Sequence, residues 1–204
     1  MPAPTFRYRG EITGWRRRSF AAVLHLRPPL SDHTKREADV LRAAAEGVRR
    51  AVEVGAFEGG GSTQLRSAMM PGGVLTVVDP YRPSHFKLSM ALIVARRAAR
   101  HQPHVATRWL RMTSLEAAAL WTRPIDLCVL DAVHTLDAVR DDWTAWSTFI
   151  GPGGRIVARN DVVLAEEPSS DERSKALVAA IAPNPGDWRI YRCADTFTAY
   201  ERVT

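Results

Sequence analysis

The run Glu53-Val54-Gly55-Ala56-Phe57-Glu58-Gly59-Gly60-Gly61-Ser62-Thr63 is the first place where this chain offers chemistry. A short apolar strand leads into a bend with little side-chain bulk, and a helix opens directly after it. Glycines let a ligand approach the main chain, and a helix start presents amide N–H groups without intrahelical partners. At the carboxyl end of a strand in an α/β protein, such a bend holds a nucleotide-like ligand. Asp79 closes the next apolar run, where a site of this kind places a carboxylate to accept both ribose hydroxyls. The spacing points away from nicotinamide. A dehydrogenase would show G-x-G-x-x-G here, whereas three residues separate Gly55 from Gly59, and Glu53 stands inside the strand before the first glycine.

The elements that must position this bend are legible as alternating apolar runs. Thr34-Lys35-Arg36-Glu37 matches a capping box, Ala38, Leu41 and Ala45 follow at helical spacing, and Gly47 supplies a stop. Strands are expected over 51–55, 74–79, 105–110, 125–131 and 155–159. Helices are expected over 62–70, 84–101, 115–121, 135–150 and 171–181. Runs such as Leu127-Cys128-Val129-Leu130 are apolar on both faces, as in a parallel sheet covered by helices on either side. The fold class expected is a doubly wound α/β sheet. The last two strands, 188–193 and 196–201, are separated only by Ala194-Asp195, too short for a parallel crossover, so they pair as an antiparallel hairpin or not with each other.

With 204 residues, 46% hydrophobic and 25% charged, the chain has the make-up of one globular domain. Residues 33–204 are assigned to it, and residues 1–32, proline-punctuated and rich in arginine, to an arm or lid. Cys128 and Cys193 both sit in apolar runs and read as small buried hydrophobes without a disulfide. The net charge of +6 raises nucleic acid as a partner. The arginines are dispersed, however, with one local cluster at Arg16-Arg17-Arg18, and they read as a solvated face. Arg17-Arg18-Ser19-Phe20 is like a twin-arginine signal, but the apolar run after it is too short for one. Nothing approaches a membrane span. A cytoplasmic protein is expected, with its oligomeric state open, a homo-oligomer included.

Glu53-Val54-Gly55 with the following glycines, Asp79, Asp131 at the end of the fourth strand and Gly151-Pro152-Gly153-Gly154 before the fifth together resemble a class I S-adenosylmethionine-dependent methyltransferase. The resemblance covers about residues 35–204 and implies a Rossmann-like seven-stranded sheet with a C-terminal antiparallel hairpin. It implies that Glu53 lies near the methionine amino group of S-adenosylmethionine, that Asp79 meets the ribose, and that Met112 to Ser114, Thr113 included, lie near the adenine. Gly55, Ala56, Phe57, Gly59, Ser62, Thr63 and Asp131 complete the expected cofactor contacts.

Within that superfamily, Asp131-Ala132-Val133-His134 and Asn160-Asp161 resemble the metal-dependent O-methyltransferases of the catechol and macrocin type. The resemblance implies Mg²⁺ held by Asp131, Asn160 and Asp161, with His134 as the general base and Asp131 as a catalytic partner. A hard cation takes oxygen ligands and lowers the pKa of a bound hydroxyl. A histidine with an ordinary pKa of about 6.5 accepts a proton at neutral pH without special tuning. Here the order is Asn160-Asp161, reversed from the catechol type, and Arg159 brings a cation close to the implied metal. The expected reaction is methyl transfer to a hydroxyl of a small-molecule metabolite.

Two rivals stay open from the sequence. One is an RNA-modifying methyltransferase that grips phosphates with the arginine-rich arm. The other binds the cofactor without transferring its methyl group. Asp79-Pro80-Tyr81 is faintly like the D/N-P-P-Y motif of amino-methylating nucleic-acid enzymes, but that motif follows the fourth strand. Leu136, Val139, Trp143, Trp146 and Ile150, at three-and-four spacing, read as the core face of a helix.

Overall fold

The computed structural model describes residues 22–24, 29–83, 88–132, 135–163 and 169–204. The arginine cluster at 16–18 and His134 lie outside the described residues.

Helix α1 (Lys35–Ala45) begins at the expected capping box, with both reciprocal hydrogen bonds formed. The same box ties the helix to the far end of the chain. Glu37 is fully buried, a costly place for a carboxylate unless its oxygens are bonded. They accept from Thr34 N at 2.8 Å and from Thr196 N at 3.1 Å, while Thr34 Oγ1 donates to Asp195 at 2.6 Å.

Then follow β1 (Arg50–Val54), α2 (Gly60–Ala68), β2 (Val74–Val78), α3 (Met90–Ala99), β3 (Ala106–Leu110), α4 (Ser114–Ala119) and β4 (Ile125–Leu130). After these come α5 (Leu136–Ser147), β5 (Ile150–Arg159), α6 (Ser170–Ile181), β6 (Trp188–Ala194) and β7 (Phe197–Arg202). The seven strands lie in the order β3-β2-β1-β4-β5-β7-β6, parallel except that β7 runs antiparallel to both neighbours. The chain winds outward from β1 in one direction and from β4 in the other, so the β1/β4 junction is the topological switch point, where open α/β sheets bind ligands.

Alternation along the strands sorts the core into two layers. Ala51, Leu127, Val129 and Val157 pack with α1 and α2 on one face, and Val52, Val54, Cys128, Leu130, Ile156 and Ala158 pack with α5 and α6 on the other. The expected stripe packs into the core: Val139, Trp143 and Trp146 on α5 are buried, Leu136 at its start is half-buried against the same cluster, and Ile150 is buried as the first residue of β5.

Two boundaries around β5 and the burial of one cysteine differ from expectation. Strand β5 starts at Ile150, paired with Ile125, and Gly151 to Gly154 form an irregularity within it rather than a turn before it. That early pairing ends α5 at Ser147. Cys193 is only half-buried because β6 is an edge strand, whereas Cys128 is fully buried. Among the described residues no helix is long and apolar enough to cross a membrane.

Candidate active site

The bend after β1 is folded onto the neighbouring strands. Gly55 has φ 83°, and a Cβ there would lie 2.6 Å from Asp131 O and 2.7 Å from Ala132 Cα. Only glycine fits where the ends of β1 and β4 come this close. Asp79, just past β2, accepts from Ala56 N at 3.1 Å and Phe57 N at 3.3 Å on one oxygen, and from Tyr81 N at 2.7 Å on the other. Its carboxylate therefore fixes the bend and keeps further lone pairs for ligand hydroxyls. Phe57 and Tyr81 flank it with left-handed φ of 48° and 45°, local strain of the kind stored at binding sites.

The segment ahead of α1 closes over this bend. Leu30 N donates to the buried Glu58 at 2.8 Å, and a Cβ on Gly60 would strike Ser31. Residues 30, 31 and 33 are buried, so this stretch forms part of the site wall. Ser62 donates its hydroxyl to Glu53, while the Thr63 hydroxyl is used within its own helix, donating to Gly59 O at 2.9 Å.

Glu53, Asp131 and Arg159 project from adjacent strand ends on the same face of the sheet, because register pairs Glu53 with Val129 and Val129 with Val157. His33 enters this row from the segment before α1. Its Nε2 lies 3.1 Å from Asp131 Oδ2, its Nδ1 lies 3.1 Å from Ser31 Oγ, and its ring meets Phe197 edge-on at 5.0 Å. Burial alone would lower the pKa of His33, but the hydrogen bond and charge of Asp131, with Glu53 and Glu37 adding, carry it above its ordinary value. Burial pushes Glu53 from its ordinary 4.5 up to about 8, against the pull of the Ser62 hydrogen bond and His33. Glu53 is thus a neutral acid at neutral pH in this state, ready to ionise beside an ammonium group.

Arg159 completes the row. Its Nη1 lies 3.4 Å from Asp131 Oδ1, and it holds Asp161 by a two-point contact, Nε to Oδ1 at 3.2 Å and Nη2 to Oδ2 at 2.7 Å. The expected ligand set of Asp131, Asn160 and Asp161 does not fit Mg²⁺ in this arrangement. A guanidinium has donors and no lone pair, and it stands between the two carboxylates. Two unit charges 4 Å apart interact by roughly 4 kcal/mol at an effective dielectric of about 20, and a divalent ion doubles that repulsion. Asn160, one step along the strand, faces the opposite side, fully buried, its amide donating to Thr198 at 3.0 Å and Ser174 at 3.2 Å. Among the described residues no group of three or more His, Cys, Asp or Glu side chains is placed to hold a metal ion.

On the other face of the sheet a cavity of about 440 Å³ opens beside the bend, within the roughly 300–1,000 Å³ of small-molecule sites. Val54, Val78, Ala132, Thr113, Ser114 and Asp142 are among its walls. Thr113 caps α4 through Glu116, and Ser114 Oγ accepts from Trp146 Nε1 at 2.9 Å. Burial raises the pKa of Asp142, opposed by a hydrogen bond from Ser114.

His33, Glu58 and Asp142 were not among the residues the sequence nominated for site roles, although Glu58 was noted in the bend. The partner of His33 is 98 positions away, and no local spacing announces it. Asp142 sits at an unremarkable helical position, one residue before the core residue Trp143.

Comparison with known proteins agrees with this architecture. A family model described as a methyltransferase domain matches residues 52–160, more than half of the chain. No curated relative matches by sequence. Among solved structures, the O-methyltransferase from Bacillus cereus in complex with SAH is similar at a TM-score of 0.61, with 16% identity over 90% of this chain and 89% of that one. The O-methyltransferase TomG from Streptomyces achromogenes, involved in tomaymycin synthesis and in complex with SAM, gives 0.59, with 17% identity over 91% and 88%. A rRNA methylase from Streptococcus thermophilus gives 0.54, with 10% identity over 82% and 94%. The family match covers the bend, Asp79, Asp131 and the end of β5, and with it the chain belongs to the class I S-adenosylmethionine-dependent methyltransferases.

Proposed function

We propose that this chain transfers the methyl group of S-adenosylmethionine to a hydroxyl oxygen of a small-molecule metabolite. The observation that carries the reading is the convergence of Glu53, Asp79 and Asp131 at the ends of β1, β2 and β4, around a bend too tight for any residue but glycine at position 55. Glu53 meets the methionine ammonium, Asp79 the ribose hydroxyls, and the main chain at Gly55, Ala56, Phe57, Gly59 and Ser62 lines the cofactor. The cavity bounded by Thr113 and Ser114 takes the adenine. The acceptor loses its proton to His134, three positions after Asp131, its oxygen attacks the methyl carbon in line with the departing thioether, and S-adenosylhomocysteine leaves. Holding the two reactants in line supplies much of the acceleration.

His134 is favoured over His33 as the base because both ring nitrogens of His33 already face partners, Ser31 and Asp131. Transfer to oxygen rather than nitrogen is supported by the two O-methyltransferases among the structural neighbours, whose coverage is near nine-tenths of both chains. The rRNA methylase among the neighbours shows that the fold alone does not select the acceptor. No metal step belongs to the proposal, given where Arg159 stands.

Incubation with methyl-labelled cofactor and a panel of phenolic and sugar-bearing hydroxyl compounds tests the reading, with the new methoxy group located by NMR. His134→Gln should lower kcat by roughly 10²–10⁴-fold and leave cofactor affinity unchanged. Label appearing in RNA and in none of the small molecules would overturn it.

A further inference from the structure

The row of charges at the ends of β4 and β5 is complete without a metal ion. Asp131 has a donor on each oxygen, His33 Nε2 at 3.1 Å and Arg159 Nη1 at 3.4 Å, and Asp161 is held by Arg159 at two points. The guanidinium is buried at 3% exposure and lies over the Phe197 ring, 5.6 Å from its centroid. This side chain is packed on all sides rather than extended across an open site. Its charge cannot be removed by titration in the working range or by a chelator.

We propose that Arg159 permanently occupies the place a catalytic divalent cation would take, so that this chain works without a metal and accepts a substrate bearing a single hydroxyl. The part concerning substrate rests on the methyl-transfer reading above. A divalent ion selects acceptors that offer two neighbouring oxygens, because it binds both at once. A guanidinium already committed to two carboxylates has no such requirement. The acceptor is then held by shape, and a vicinal diol gains nothing over its mono-hydroxyl counterpart. Two residues share the arrangement by strand alternation. Arg159 takes the face of Asp131, and Asn160 turns to Ser174 and Thr198 on the other side.

Manganese binding to the whole protein tests this without recourse to turnover, by the loss of the free-ion signal in electron paramagnetic resonance. The wild-type chain at about millimolar concentration should leave the signal unchanged. Arg159→Asp, which turns three carboxylates toward one point, should bind at least tenfold more ion. If that variant lacks a native near-ultraviolet circular dichroism spectrum, Arg159→Gln in the same assay should show the same direction of change. Manganese bound by the wild type and released by Asp131→Asn would overturn the proposal. So would a folded Arg159→Asp that binds no more ion than the wild type. In turnover, equal rates with and without a chelator support the proposal, and a rate abolished by the chelator contradicts it. Failure to bind S-adenosylmethionine, measured separately by calorimetry, would strike the methyl-transfer reading while leaving the manganese result standing.

Discussion

His33 Nε2 lies 3.1 Å from Asp131 Oδ2, so the segment ahead of the first helix is fastened to the strand end at the centre of the sheet. Through this contact the chain ahead of α1 becomes a wall of the site, with Leu30 held by Glu58 and Ser31 against Gly60. One consequence is electrostatic. Glu53, His33, Asp131, Arg159 and Asp161 form one row of buried and half-buried ionisable groups, and within it Asp131 and Glu53 act to raise the pKa of His33.

The pH dependence of stability follows from that row. Glu53 is 2% exposed and is raised from 4.5 to about 8 in the folded chain. Between those values the unfolded chain has lost a proton that the folded chain keeps, so stability falls as pH rises, by an amount on the order of 5 kcal/mol for this group. His33 adds in the same direction: its pKa is raised, so its contribution is full below about 6.5 and is lost as pH climbs through the folded value. Glu53→Gln should flatten the decline and exceed the wild type in stability above about pH 8. Urea melts at several pH values measure this, and parallel wild-type and variant curves would contradict it.

Asp79 should carry much of the affinity for the cofactor's ribose. Charge-assisted hydrogen bonds of this kind contribute about 1.5–3 kcal/mol, so Asp79→Asn should weaken S-adenosylhomocysteine binding by roughly 10- to 150-fold. The variant also loosens the tie to Ala56 and Phe57. A separate melt distinguishes a misfolded variant from one that has only lost affinity.

Trp143 separates packing from hydrogen bonding in the core. It is fully buried against Trp188 and Tyr200, yet its indole N–H has no partner among the described residues. Trp143→Ala should cost about 3–5 kcal/mol. Trp143→Phe should cost clearly less than Trp143→Ala, because it leaves a smaller cavity and also removes the unsatisfied donor. Denaturant unfolding of both variants gives the two values.

The fold was readable because parallel strands buried on both faces write themselves as apolar runs, and because Thr34-Glu37 caps as its residues require. The shortness of Ala194-Asp195 excluded a parallel crossover, and of the two arrangements that left, the chain adopts the antiparallel hairpin. What escaped was set by distance and by parity. His33 and Asp131 are 98 positions apart and meet only once the chain between them has folded. Asn160 and Asp161 were nominated through their resemblance to the metal-dependent O-methyltransferases, and strand alternation turns Asn160 toward Thr198 while Arg159 stands beside Asp131. Gly151 to Gly154 have turn composition, and pairing of Ile150 with Ile125 draws them into the strand.

The claim that the bend after β1 is built around a bound cofactor is tested most directly by calorimetric titration of S-adenosylmethionine into the wild-type chain and Gly61→Val. A side chain at position 61 would fall on Glu53 Oε1 and come within 3.0 Å of His33 Cε1. One saturable site in the wild type, lost in the variant, is the predicted result. No heat from the wild type at millimolar cofactor, or equal affinity in the two proteins, would contradict it.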